Sequence, residues 1–111
     1  MFESQIKAGQ IAQGMSFNQK VWALTARIPR GQVVTYGDIA KALGTTAYRA
    51  VGNALNKNPY APQVPCHRVV GSDGSLTGFA GGIPKKLRLL QEEGIEFKSN
   101  KAVLSNGRYV F

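Results

Sequence analysis

From Ser16 onward the apolar positions repeat at helical intervals. Phe17, Val21, Leu24 and Ile28 stand four, three and four residues apart and line one face, and Ser16 ahead of them can accept from the free N–H groups that start a helix. The pattern predicts a helix to about Arg27, ended by Pro29-Arg30-Gly31, with Val33-Val34 as a short extended piece. Thr35-Tyr36-Gly37-Asp38 has the form of a capping box, hydroxyl first and carboxylate three residues later, ahead of Ile39, Ala40 and Leu43. A short second helix follows, and Gly44 closes it. Thr45 or Thr46 can cap a third helix over residues 47–57, whose apolar face is Ala47, Val51, Ala54 and Leu55. Two helices joined by a three-residue turn containing Gly make a helix-turn-helix pattern. Residues 1–15, interrupted by Gly9 and Gly14, are weakly periodic and read as an N-terminal arm, leaving 16–111 as the domain.

Beyond the third helix the pattern shortens. Asn58-Pro59-Tyr60-Ala61-Pro62 excludes helix and predicts a firm loop leading to Val64-Pro65. Residues 68–70, the turn Gly71-Ser72-Asp73-Gly74 and residues 75–78 read as a small hairpin. Gly81-Gly82 precede a fourth helix with Pro84 near its first turn, Leu87, Leu89 and Leu90 on its buried side and Glu93-Gly94 at its end. Residues 95–97, 102–104 and 108–111 cluster apolar side chains around Gly and Asn, as short strands of a wing do. The fold class expected is mainly α with small β hairpins, close to a winged helix-turn-helix.

Composition narrows the partner. At 111 residues, 43% of them hydrophobic and 18% charged, the chain has room for one globular core. It has no apolar run long enough to span a membrane and no secretory leader pattern, so a protein working inside a cell, without membrane contact, is expected. A single cysteine, unable to form an internal disulfide, points the same way. The net charge of +8 suggests a polyanion such as nucleic acid, although excess lysine also serves solubility. Basic residues are spread evenly, seven before residue 58 and seven after, so contact must come from the folded surface. The third helix exposes Tyr48, Arg49, Gly52, Asn53 and Asn56, a set of one cation among small and amide residues that suits approach to a phosphate backbone.

The candidate chemistry centres on Cys66 in Pro65-Cys66-His67-Arg68. A thiol attacks as its thiolate and needs basic or positive neighbours, which His67 and Arg68 supply in sequence. Neighbours on a strand face opposite ways, so a turn or a bridging water is required to join Cys66 to His67. A buried core cysteine is the competing reading. Metal binding is poorly supported, since one Cys and one His give two ligands where structural zinc takes four.

Pro65-Cys66-His67-Arg68-Val69-Val70 resembles the active-site motif of the O6-alkylguanine-DNA alkyltransferases, also called methylated-DNA-protein-cysteine methyltransferases. The stretches 35–40, 49–52, 58–59, 76–82 and 89–94 fall in the family's order and spacing, so the likeness covers residues 16–97. The resemblance implies that Cys66 accepts the alkyl group, His67 acts as its water-mediated base and Glu93 orients His67. It implies that Asn58 braces the active-site turn, that Tyr36 meets the guanine and helps protonate it as it leaves, and that Arg49 fills the stack after nucleotide flipping. Ala47, Ala50 and Gly52 would fit the minor groove of double-stranded DNA, with Tyr48 bulkier than that groove favours. Val69, Phe79 and Ala80 would line the base pocket. Some relatives have Tyr and Ser where this chain has Phe79 and Ala80, leaving base recognition there to backbone groups. Flipping is required because the alkyl carbon lies inside the stacked duplex. The reaction implied is displacement at saturated carbon, single-use because a thioether has no easy hydrolytic exit, and needing no metal or nucleotide cofactor.

Many relatives carry a further N-terminal domain where this chain has about 15 residues. A monomer is expected, in the cytoplasm of a prokaryote or the nucleus of a eukaryote. Two rivals remain: a non-catalytic alkyltransferase-like protein that binds the lesion and signals to another repair pathway, and a helix-turn-helix regulator reading a major groove. The first lacks the acceptor cysteine, and the second needs no reactive thiol.

Overall fold

The computed structural model describes residues 2–77 and 82–111. Helices α1 (Glu3–Lys7), α2 (Phe17–Ala26), α3 (Tyr36–Ala42), α4 (Tyr48–Asn56) and α5 (Ile83–Glu92) are joined by two small sheets, β1 (Val34–Thr35) with β2 (Val69–Val70) and β3 (Phe97–Lys98) with β4 (Lys101–Ala102). This is the mainly helical architecture with small β elements that the pattern predicts. No described helix is long and apolar enough to cross a membrane.

The first sheet positions the site. Val34 pairs with Val69 and Thr35 with Val70, in parallel. Side chains alternate across a strand, and here the two faces feed two cores. Val34 and Val69 join Val21, Leu24, Ile39, Val51 and Ala54 of the helical core, while Val33 and Val70 join Leu90, Ile95 and Ala102 beneath α5 and the wing. The predicted hairpin of 68–70 with 75–78 is corrected by this pairing. The turn does close, with Gly71 N donating to Ser75 O at 2.8 Å, but Val69–Val70 take β1 as their partner. Parallel strands need a long crossover, which α3, α4 and the loop after them provide.

Local chemistry explains the helix boundaries. Ser16 with Gln19, and Thr35 with Asp38, both form complete capping boxes. At α4 the expected threonine cap is absent: Ala47 holds the N-cap position, and Thr45 Oγ1 instead accepts from Ala47 N at 3.1 Å. Ala47 is exposed rather than on the apolar face, which consists of Val51, Ala54 and Leu55. On α5 the fully buried positions are Lys86 and Leu90, with Leu87 and Leu89 only half-buried. The wing is a two-residue hairpin, with Ser99 and Asn100 both at positive φ as a tight primed turn requires. Residue 108 contributes a single bridge to Val33, and 104–106 is a 3₁₀ turn rather than strand.

The stretch read as an arm contains α1, and Ile6 and Met15 are buried with Val64, against Trp22 and Tyr60. Arg27 Nε fastens it by donating to Gly9 O at 2.7 Å. Residues 2–15 therefore support the loop that leads to Cys66.

Candidate active site

Cys66 begins a 3₁₀ turn, Cys66–Arg68, and not a strand. The loop before it is held by Asn58, whose Nδ2 donates to Val64 O at 2.8 Å while its Oδ1 accepts from Tyr60 N at 2.9 Å. Val64 O also accepts from Cys66 N at 2.9 Å, so one carbonyl ties Asn58 to the cysteine backbone. Cys66 itself is half-buried and packs against the helical core.

His67 points inward, at 5% exposure. Its Nε2 meets Glu93 Oε2 at 2.8 Å, and Glu93 is also gripped by Arg68, Nε to Oε1 at 2.8 Å and Nη2 to Oε2 at 2.9 Å. Arg68 Nη1 donates to Ile28 O at 2.8 Å, so the ends of α2 and α5 converge on the cysteine turn. Burial pushes the Glu93 carboxyl up, but the hydrogen bonds from Arg68 and His67 outweigh it and hold its pKa at about 2. Burial sets His67 the other way. It lowers the imidazole below its ordinary value, against the pull of Glu93 and with help from the Arg68 and Lys86 charges, so the ring is neutral at neutral pH. Among the described residues no hydrogen bond joins His67 to the Cys66 sulfur.

A second group, Tyr36, Thr77 and Lys86, interacts electrostatically with Cys66 through Tyr36 and Lys86. Tyr36 OH donates to Thr77 O at 3.2 Å and accepts from Thr77 Oγ1 at 3.2 Å, and Lys86 Nζ donates to the same carbonyl at 3.0 Å. Lys86 is 1% exposed, with Nζ 5.8 Å from the Tyr36 ring centre. Burial lowers its pKa to about 8, opposed by the attraction of a Cys66 thiolate. Burial also raises the Tyr36 phenol, with the thiolate charge acting in the same direction, so it keeps its proton. The sequence pattern missed Lys86. The usable signal was the spacing of 83, 86 and 90, which puts Lys86 on the Leu90 face of α5.

Next to this group is an open groove of about 390 Å³ lined by Tyr36, Tyr48, Arg49, Gly52, Asn53, Asn56 and Thr77. Arg49 is exposed there, and Ala50 and Gly52 are half-buried. Val69 is fully buried with its side chain in the helical core, so any contact to a base there is through its backbone. Phe79 and Ala80 lie outside the described residues. Among the described residues no group of three or more His, Cys, Asp and Glu is placed to hold a metal ion.

Residues 16–95 match the family model described as 6-O-methylguanine DNA methyltransferase, DNA binding domain. The chain belongs to this family. Among its relatives, the methylated-DNA–protein-cysteine methyltransferase of Methanosarcina mazei is 51% identical over 82 residues, 73% of this chain and 52% of that protein. The chain spans about half the length of the curated methyltransferases it matches. Solved structures are similar as well. Mycobacterium tuberculosis OGT in complex with DNA gives a TM-score of 0.69 at 42% identity, covering 83% of this chain and 62% of that one. S. pombe Atl1, bound to damaged DNA containing O6-carboxymethylguanine, gives 0.73 at 32% identity, covering 84% and 94%. The fold described above is thus that of this family's DNA-binding domain.

Proposed function

We propose that the chain repairs DNA by moving an alkyl group, typically methyl, from O6 of guanine in a duplex to the sulfur of Cys66, once per molecule. The observation that carries this reading is the position of Cys66 in a family member: on a braced turn, next to a neutral buried imidazole held by an ionised carboxylate, with the Tyr36 phenol and the Lys86 ammonium within electrostatic reach of the sulfur.

His67, oriented by Glu93, takes the thiol proton through a bridging water. The Lys86 cation faces the thiolate so formed. The thiolate attacks the alkyl carbon; the S–C bond forms as the C–O6 bond breaks, and the electron pair passes into the guanine ring. Tyr36, kept protonated by its burial, donates its proton to the departing base and regains one through water as the His67 imidazolium gives up the thiol proton, and the products are a thioether and ordinary guanine. Asn58 keeps the turn in place without meeting the substrate.

The base reaches the sulfur only after leaving the stack. In this reading α4 lies in the minor groove, Ala47, Ala50 and Gly52 permit close approach, and Arg49 fills the gap left by the flipped nucleotide. The base pocket is completed by the backbone at Val69 and by Phe79 and Ala80. The protein works as a monomer inside the cell, on double-stranded DNA containing O6-alkylguanine. Incubation with a duplex carrying one O6-methylguanine is expected to add one methyl group to Cys66, seen in the intact mass, and to add none to Cys66→Ser. Binding without a change in mass would place the chain with non-catalytic lesion binders.

A further inference from the structure

Tyr48 opens α4 immediately before Arg49 and is 54% exposed, a large aromatic face left in water. Its ring is seated on the first turn of α3, so that a Cβ built on Gly37 would lie 3.7 Å from its Cε1. The same ring walls two open clefts. One holds Lys41, Thr45 and Thr46, and the other runs past Arg49 and Asn53 to Tyr36 and Thr77 beside the reactive group. Among the described residues its hydroxyl has no hydrogen-bond partner.

We propose that Tyr48 is a stacking residue for the DNA step next to the flipped nucleotide, so that this chain opens the duplex with a tyrosine and an arginine acting together. Successive helical residues point about 100° apart, so Tyr48 and Arg49 cannot fill one gap; they take neighbouring positions along the strand. A flat ring too bulky to lie in a narrow minor groove is accommodated by inserting at a base step, as apolar wedges do elsewhere. Every base offers a π-face, so the contact would hold the opened duplex without reading its sequence. The placement rests on the alkyl-transfer reading for the flipped base, whereas the stacking itself can be measured independently.

The test uses the full chain with Cys66→Ser, to prevent reaction, and a duplex with 2-aminopurine beside O6-methylguanine. Stacking on Tyr48 predicts quenched 2-aminopurine fluorescence in the complex. Tyr48→Phe should keep both the quenching and the affinity, while Tyr48→Ala should lose the quenching and bind roughly ten- to a hundredfold more weakly. Unchanged quenching and affinity in Tyr48→Ala would overturn the proposal, as would a loss in Tyr48→Phe equal to that in Tyr48→Ala. Methyl transfer by the chain with Cys66 intact is scored separately. Its absence, with quenching still dependent on Tyr48, would remove the alkyl-transfer reading and leave the stacking role standing.

Discussion

Burying the Lys86 ammonium costs free energy that an apolar side chain there would not incur. Its pKa falls from 10.5 to about 8, so the folded state holds this proton less tightly than the unfolded chain does. The group's contribution to stability is therefore full above pH 10.5 and is lost as the pH falls through about 8. Lys86→Met should raise stability at pH 7 by about 1–3 kcal/mol in denaturant unfolding. The same variant should slow methyl transfer roughly tenfold or more, because the cation beside the thiolate is gone. A variant both less stable and fully active would show that Lys86 is structural. Glu93 runs on a different scale of pH. Its depressed pKa gives stability that is present above about pH 4.5 and lost as the pH falls toward about 2. Lowering the pH over that window should reduce the melting temperature of the native protein steeply and that of Glu93→Gln much less. At neutral pH Glu93→Gln should cost about 3 kcal/mol, since the half-buried Arg68 and buried His67 lose their carboxylate.

At the scale of elements, the turn after β2 depends on one glycine. Gly74 has φ +87°, and a Cβ there would sit 2.1 Å from Ala102 O, while Gly74 O accepts from Ala102 N at 2.9 Å. Gly74→Ala should therefore cost about 1–3 kcal/mol and pull the turn away from β4, which chemical denaturation and loss of hydrogen-exchange protection at the Ala102 amide would report. Helices α2, α3 and α4 were legible because apolar periodicity and capping boxes are local signals that tertiary context did not override. The β1–β2 pair was not. Two-residue strands carry no period, and nothing near Val69 in sequence says that its partner is Val34, 35 residues earlier. α1 was obscured for a similar reason, since five residues complete barely more than one turn. Lys86 was missed because a lysine at a buried helical position contradicts the apolar template that finds the rest of its face.

At the scale of the whole molecule, the described residues form three small cores around one cysteine turn. The helical core carries α4 and its exposed Arg49, the core under α5 carries Lys86 and Glu93, and the cluster of Ile6, Met15 and Val64 supports the loop braced by Asn58. Cys66 stands where these meet, and the +8 charge over the surface favours a polyanion at the groove beside it. In the sequence, Cys66 stood out as a candidate nucleophile only through its companions at a distance, Tyr36, Arg49, Asn58 and Glu93, because His67 and Arg68 alone left a buried core thiol the better reading. The central claim is that this arrangement transfers one alkyl group irreversibly to Cys66. Intact mass after incubation with increasing amounts of O6-methylguanine duplex tests it most directly. A gain of one methyl group per chain, mapped to Cys66 and halting at one equivalent, is predicted; stable binding with an unchanged mass would contradict it.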